Sequence, residues 1–91
     1  MAWTIELTDT ALRQLEKLDN KVKPRIWKFL HERVASLQNP RSIGAALQGQ
    51  RLGEFWRYRV GDYRLIAKIE DERLIVLVLR IGHRREIYRD H

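Results

Sequence analysis

Apolar and polar residues alternate at the start of the chain and then change to a helical spacing. Over residues 2–7 every second side chain is apolar, which predicts a short strand with one buried face. Over residues 11–18 the apolar side chains recur at intervals of three and four, as on one side of a helix that Thr8 or Asp9 can cap. A second such stripe runs from Val22 to about Leu37. Two helices so close in sequence predict an antiparallel helical hairpin.

The pattern returns to alternation in the second half of the chain, after a loop expected over residues 41–53. Residues 55–66 alternate, reach Gly61-Asp62, and alternate again, which is typical of a β-hairpin closed by a two-residue turn. With that turn, residues whose numbers sum to 123 face each other. Three apolar or aromatic pairs then share a face suited to the core: Val60 with Tyr63, Tyr58 with Leu65, and Trp56 with Ala67.

The other face of this hairpin carries arginines. Arg59 is expected directly opposite Arg64, with Arg57 two residues along the same strand. Like charges opposite each other in a sheet cost from a few tenths to about 1 kcal/mol. Sequences tend to break such local rules at functional sites. The ordinary alternative is that three solvated arginines splay apart on an exposed surface.

Residues 73–81 are almost continuously apolar, which predicts a central strand covered on both faces. A two-residue turn at Asp71-Glu72 would place Leu65 opposite Val78 and Arg64 opposite Leu79, whereas a three-residue turn would reverse the two faces. The helices can cover one face of this sheet. The other face keeps an apolar strip beside the arginines, which indicates a docking surface; the strip comprises Ile66, Leu77 and Leu79.

Composition narrows the class of protein. The chain has 91 residues, enough for one domain, with no cysteine and a net charge of +6. Nine of its ten basic residues from position 51 onward are arginines, whose bidentate guanidinium groups suit phosphate. No apolar run approaches the ~20 residues of a membrane helix, and no signal peptide is evident. We therefore expect a soluble cytoplasmic protein with an acidic or nucleic-acid partner.

The sequence offers few other kinds of site. It has no phosphate-binding glycine loop, no nucleophile elbow and no dense carboxylate group, and its three histidines are scattered, so no metal or cofactor is expected. Arginines can neutralise a phosphate during displacement, and RNA supplies its own nucleophile, the 2′-hydroxyl. The products would be a 2′,3′-cyclic phosphate and a 5′-hydroxyl. Because arginine stays protonated, the base must be Tyr88, His83 or a group outside the chain.

The chain resembles the RelE/ParE toxins of bacterial type II toxin–antitoxin systems over nearly its whole length. The segments that carry the resemblance are LQG at residues 47–49, FWRYRVGDYRL at 55–65 and IGHRREIY at 81–88. The resemblance implies one α+β domain over residues 1–91, with an N-terminal strand and helical hairpin packed on one face of a small, mainly antiparallel sheet. The sequence ends three residues after Tyr88, so any mobile C-terminal helix is expected to be absent or minimal.

The RelE branch implies a metal-independent endoribonuclease that cuts mRNA in the ribosomal A site, in contact with 16S rRNA. Its expected partner is an acidic antitoxin, through which the complex would bind operator DNA. The apolar strip is the expected antitoxin surface.

Site roles follow from the same resemblance, position by position. Arg57 and Arg59 fall at basic positions beside the scissile phosphate, where family members often have lysine. Arg64 falls on the arginine that stabilises the transition state, Arg84 on the one linked to the leaving group, and Tyr88 on a tyrosine that stacks and orients. The neighbours His83 and Arg85 are expected to bind RNA.

Two other functions stay open on the sequence. A ParE-like toxin would share the fold and poison DNA gyrase, but that branch generally lacks the full set of arginines and tyrosine. A catalytically inactive module would use the basic face only to bind RNA or an antitoxin.

Overall fold

The computed structural model describes residues 3–47 and 55–87. Two helices pack on one mixed sheet of five strands, in the spatial order β1-β5-β4-β3-β2, with β1 parallel to β5 and the other neighbours antiparallel. This confirms the α+β class with a mainly antiparallel sheet. In chain order the elements are β1 (Thr4–Leu7), α1 (Asp9–Glu16), α2 (Val22–Lys28), a π-helical segment (Phe29–Val34), a 3-10 turn (Pro40–Ser42), β2 (Ala45–Ala46), β3 (Phe55–Val60), β4 (Tyr63–Glu70) and β5 (Ile75–His83). No helix in these ranges is both long and apolar enough to cross a bilayer.

The first helix begins where the sequence predicts. The Thr8 hydroxyl accepts a hydrogen bond from the Ala11 N–H at 3.1 Å, so Thr8 is the N-cap. Ala11 and Leu15 are buried, but Leu12, expected on the same stripe, is 45% exposed. The helix has only eight residues and contacts the sheet along a narrow face, which leaves Leu12 to the side.

The second helical segment changes its winding midway. After Lys28 the chain continues as a six-residue π-helical segment in which the Ala35 N–H donates to the Leu30 carbonyl, five residues back. Ile26, Leu30 and Val34 remain fully buried through this change. π-Helical turns are rare and often occur at functional sites.

The hydrophobic core lies between the helices and one face of the sheet. Tyr58 is fully buried in it and donates a 2.6 Å hydrogen bond to the Pro40 carbonyl. The other fully or nearly fully buried core residues are mainly aliphatic, and come from both layers: Trp3, Ala11, Leu15, Ile26, Leu30, Val34, Leu65, Ala67, Ile69, Val76, Val78 and Ile81. Each layer therefore buries one face, and these two faces form a single core.

The arginine hairpin has the predicted register throughout. Val60 faces Tyr63, and Arg59 faces Arg64. Gly61 occupies the first central position of the turn with φ +58°. Asp62 has negative φ, so the turn is of type II′, where the first position favours glycine.

The predicted link between β4 and β5 is wrong. The connection is a four-residue turn, Asp71 to Leu74, and Leu74 adopts a left-handed φ of 54°. Near the turn, the β5 partner of each β4 residue lies two positions later than a two-residue link would give: Ala67 pairs with Val78. A shift of two residues keeps the same side chains on each face, so the predicted core face survives the error.

A β-bulge then changes the faces. Val78 pairs with Ala67 and Arg80 with Ile66, so Leu79 is an extra residue in β5. Arg64 consequently faces Gly82, and not Leu79 as expected. The bulge carries Arg80 to the arginine face.

Side chains of Thr8, the N-cap, and of Gln14 in α1 form hydrogen bonds with the backbone of β5 around the bulge. The Thr8 hydroxyl donates to the Leu79 carbonyl at 3.1 Å, and the Gln14 carboxamide oxygen accepts from the Ile81 N–H at 2.7 Å. β1 pairs with β5 only as far as Val78, so these side chains replace a missing strand beyond it.

The loop predicted over residues 41–53 contains some regular structure in its described part. Ala45 and Ala46 pair with Arg57 and Trp56 as a two-residue edge strand, β2. Residues 48–54, including most of the LQG motif, lie outside the described residues.

Candidate active site

Three of the arginines selected from the sequence line one open cleft. Arg57 and Arg59 project from β3 and Arg64 from β4, and Gly44 and Ala45 form the opposite wall of a cleft of about 490 Å³. Arg59 is exposed, while Arg57 and Arg64 are half-buried. The structure thus brings together the three side chains that the hairpin register places on one face.

Gly44 lets the cleft wall pack closely against β3. Its φ is +84°, and a Cβ there would collide with the Arg57 carbonyl and lie 2.6 Å from the Trp56 indole nitrogen. The same indole N–H donates to the Ile43 carbonyl at 2.7 Å, which holds the β2 wall against β3. A side chain at position 44 therefore cannot be accommodated without moving the wall.

Arg64 folds back over the end of its own hairpin. Its Nη1 donates to the carbonyls of Gly61 and Tyr63, each at 3.1 Å. These bonds fix part of a long side chain before any ligand binds, which lowers the entropic cost of using it.

Arg84 reaches the same hairpin turn from the other side. Its backbone N–H donates to the Asp62 carbonyl at 2.8 Å, and its Nε lies 3.9 Å from an Asp62 carboxylate oxygen. Arg84 does not line the arginine cleft. It lies beside the turn that carries Arg64, with an exposed carboxylate as its present partner.

His83 and Arg85 are not brought into the arginine cleft. The His83 ring packs edge-on against Tyr63, with centroids 5.6 Å apart, and its Nδ1 accepts from the Arg85 N–H at 3.2 Å. His83 lines a separate cleft of about 450 Å³, shared with Gln14 and Lys17 of α1. Arg85 is exposed, and Tyr88 lies outside the described residues.

The apolar strip is less open than the sequence indicates. Ile66 is only 8% exposed, while Leu77 and Leu79 are half-buried. Ile66 lies between Arg57 on β3 and Arg80 on β5, whose aliphatic stems can flank it. Leu77 and Leu79 form the accessible part of the strip.

The strand register places Arg80 beside Ile66 on this face, a position that the alternating sequence pattern does not predict, and Arg80 lines the cleft of His83 and Gln14 and not the arginine cleft. A regular β5 would turn Arg80 toward the core, and the bulge at Leu79 reverses that. The signal was present in the spacing of the core residues. Val76 and Val78 are two apart, but the next core residue, Ile81, follows at three. An odd step in a strand indicates a bulge.

No described residue that lines the arginine cleft can accept a proton at neutral pH. Its lining consists of three guanidinium groups, a glycine and an alanine. Tyr58 lies between Arg57 and Arg59 in sequence but points into the core, where burial raises its pKa to about 12. The cleft can therefore bind an anion and stabilise developing negative charge, but the base must come from elsewhere.

Nearby, an ion pair holds the loop that precedes the cleft wall. Both guanidinium nitrogens of Arg41 contact the Asp71 carboxylate, at 2.8 and 3.0 Å. This bidentate hydrogen bond lowers the pKa of Asp71 and raises that of Arg41. It joins the 3-10 turn to the β4–β5 turn, at the opposite end of β4 from Gly61. We assign it a structural role.

Comparison with known proteins gives consistent matches along the chain. The family described as "ParE toxin of type II toxin-antitoxin system, parDE" matches residues 5–88. Toxin RelG of Mycobacterium tuberculosis is 35% identical over 89 residues, covering 98% of this chain and 99% of RelG. The mRNA interferase toxin RelE of Escherichia coli K12 is 30% identical over 90 residues, covering 97% and 92%.

Solved structures of RelE toxins also match this chain. A chain of the toxin–antitoxin complex RelBE2 from M. tuberculosis superposes with a TM-score of 0.83 at 30% identity, covering 94% of this chain and 95% of that chain. The isolated E. coli RelE toxin superposes with a TM-score of 0.69 at 24% identity, covering 90% and 84%, which supports the fold alone. The described arginine hairpin and the tail turn that docks on it lie within the matched region.

Proposed function

The chain belongs to the RelE branch of the RelE/ParE toxins of type II toxin–antitoxin systems, and from that premise we propose that it is an endoribonuclease that cuts mRNA on the ribosome. One observation carries the proposal. Arg57, Arg59 and Arg64 line a single cleft that has no carboxylate among its described lining residues. Such a cleft suits a phosphodiester that gains negative charge during the reaction.

The proposed reaction is an internal transesterification. The 2′-hydroxyl loses its proton to a base, its oxygen attacks the adjacent phosphorus, and the bond from phosphorus to the 5′-oxygen breaks. The 5′-oxygen takes up a proton, which leaves a 2′,3′-cyclic phosphate and a 5′-hydroxyl. Arg57 and Arg59 hold the phosphate, and Arg64, fixed over the hairpin turn, neutralises the charge on its non-bridging oxygens.

Arg84 and Tyr88 complete the proposed site from the tail. Arg84 lies at the hairpin turn beside Asp62, and pairing with the leaving oxygen requires it to leave that carboxylate. The long contact of 3.9 Å between exposed groups makes this change inexpensive. Tyr88 would stack on a base and orient the substrate.

Dependence on the ribosome follows from the missing base. Because the cleft's described lining offers no proton acceptor, we propose that the ribosomal A site, with its 16S rRNA, orders the mRNA for attack and assists proton removal. The protein would then act in the cytoplasm, where translation occurs.

An antitoxin partner is the second part of the proposal. Structural neighbours include toxin–antitoxin complexes from M. tuberculosis and Pyrococcus horikoshii, so an antitoxin partner is expected here. The net charge of +6 favours an acidic one. We propose that it covers Leu77 and Leu79 together with the arginines, and that the complex binds operator DNA through the antitoxin.

Gyrase inhibition is the second candidate function. It is favoured by the ParE description of the family that matches residues 5–88. The RelE names of the relatives and the arginine cleft favour RNA cleavage instead.

The test uses Arg64→Ala and Arg84→Ala on ribosomes programmed with a defined message. Each variant should cut the A-site codon about a hundredfold more slowly, or worse, as expected for loss of one transition-state donor. Arg73→Ala is the matched control, because Arg73 is an exposed arginine in the β4–β5 turn. It should cut at the wild-type rate. Equal rates for all three variants, with unchanged thermal unfolding, would reject the site.

A further inference from the structure

A second basic cleft continues from the arginine cleft toward the helices. It has a volume of about 330 Å³ and shares Gly44 and Arg59 with the arginine cleft. Its other described lining residues are Phe29, Arg33, Ile43 and Tyr58. Because Gly44 and Arg59 border both clefts, the two are neighbours at the edge of β3, and we call the second one the groove.

The fold explains why this groove exists. β2 pairs with β3 only at Trp56 and Arg57, so the next stretch of β3 has no strand beside it among the described residues. The π-helical segment Phe29–Val34 passes over that gap and presents Arg33 to it. A rare helical form next to an unpaired strand edge is consistent with a functional constraint.

The groove has the two features by which proteins bind single-stranded nucleic acid. Arg33 and Arg59 supply positive charge with no carboxylate among the described lining residues. Phe29 is half-buried, so part of its ring is accessible, and it is held edge-on against Tyr58 with centroids 5.8 Å apart. A basic groove that tracks the backbone and an aromatic ring on which a base stacks suit a single strand.

We propose that this groove binds the nucleotide next to the scissile phosphate, with its phosphate on Arg33 and its base against Phe29, while Arg59 lies between that phosphate and the scissile one. The proposal rests on the proposed function for the position of the scissile phosphate. Single-stranded RNA fits better than an acidic peptide, because every nucleotide joins a phosphate to a planar base, whereas a peptide offers a ring beside a carboxylate only where an aromatic residue neighbours an acidic one.

The test measures binding of a nuclease-resistant, 2′-O-methyl single-stranded RNA of about ten nucleotides by fluorescence anisotropy at several KCl concentrations. Arg33→Gln should make the dependence of log K on log[KCl] less steep by about 0.7, the loss of one phosphate contact on a single strand. The matched control is Arg13→Gln, an exposed arginine on α1 that removes the same charge and lines neither cleft. It should keep the wild-type slope.

A second variant examines the stacking ring. Phe29→Leu keeps an apolar side chain and should weaken binding about fivefold or more, the usual effect of losing one base stack. This loss should vanish on an RNA with an abasic residue at the stacked position. A loss that is equal on both RNAs would show damage to the fold and would refute the stacking contact.

Other outcomes separate this inference from the proposed function. One outcome is that the wild-type protein cuts mRNA on ribosomes, but Arg33→Gln and Arg13→Gln bind RNA with the same salt dependence. That outcome would reject RNA binding in the groove and leave the proposed nuclease activity intact. If RNA binding depends on salt and on Arg33 but no mRNA is cut on ribosomes, the groove is supported and the proposed nuclease activity is rejected. Wild-type protein without salt-dependent RNA binding, or an Arg33→Gln variant that loses only antitoxin affinity, would also overturn the groove.

Discussion

Arg59 and Arg64 face each other across β3 and β4, and the repulsion between them is a cost of the free protein. It amounts to a few tenths to about 1 kcal/mol for such a pair. A bound phosphate offsets that repulsion, so the same pair favours the anion-bound state. The hydrogen bonds from Arg64 to Gly61 and Tyr63 make the arrangement tolerable by directing one guanidinium back over the turn.

Tyr58, one position before Arg59, gives a prediction about pH. Its folded-state pKa is raised from 10.0 to about 12 by burial. The unfolded chain therefore releases this proton first, so the stability is intact below about pH 10 and falls as the pH rises toward 12. We expect the midpoint of urea unfolding to fall over this range, and to fall less in Tyr58→Phe.

Tyr63→Phe is the control for this measurement. Tyr63 is half-buried on β4, and its replacement leaves Tyr58 in place. This variant should follow the wild-type curve. Identical pH dependence in wild type and Tyr58→Phe would show that Tyr58 does not cause the loss of stability at high pH. At pH 7, Tyr58→Phe should also be less stable by about 1–3 kcal/mol, because the buried Pro40 carbonyl loses its donor.

At the scale of elements, α1 supports β5 in addition to its neighbouring strands. The Thr8 hydroxyl both caps α1 and donates to the carbonyl of the bulged residue Leu79. Thr8 therefore links the helix to the bulge that turns Arg80 toward the arginine face.

Thr8→Ala should lower the free energy of unfolding by about 1–2 kcal/mol, from the lost cap and the unsatisfied carbonyl. Thr10→Ala is the control, because Thr10 is exposed within the first turn of the same helix. Its change should stay within about 0.5 kcal/mol. Denaturant unfolding monitored by circular dichroism measures both. Equal effects of the two substitutions would remove the role assigned to Thr8.

These elements also show which parts of the molecule local sequence rules can predict. The β3–β4 register was predictable because Gly61-Asp62 fixes the turn, and register then places Arg57, Arg59 and Arg64 together. The β4–β5 connection was not, because nothing local distinguishes a two-residue turn from a four-residue turn at Asp71. The groove beside Arg33 could not be predicted either, because it depends on the π-helical winding and on where β2 ends.

At the scale of the whole molecule, the helical layer and the sheet have different roles. The helices cover one face of the sheet and leave the other to the arginines and to the half-buried Leu77 and Leu79. The chain has a net charge of +6, and under the proposed function this arginine-bearing face attracts both RNA and an acidic antitoxin. Competition between them for one face would explain how an antitoxin silences the toxin.

Leu77→Ser tests the antitoxin surface. Loss of a leucine buried on binding removes about 1.5–3 kcal/mol, so affinity for the cognate antitoxin should fall about tenfold or more by titration calorimetry. Leu12→Ser, at an exposed leucine on the helical layer, should bind as wild type does. A co-complex that leaves Leu77 bare, or weakening by Leu12→Ser alone, would place the antitoxin elsewhere.

Toeprinting on translating ribosomes measures the proposed activity, cleavage of mRNA that requires the ribosome. Wild-type protein is added to a defined message, with and without translating ribosomes, and the new ends are mapped by primer extension. We expect cuts in the A-site codon when ribosomes are present and little cleavage of the naked message. An intact message on translating ribosomes, together with inhibition of gyrase supercoiling by the same preparation, would contradict this expectation.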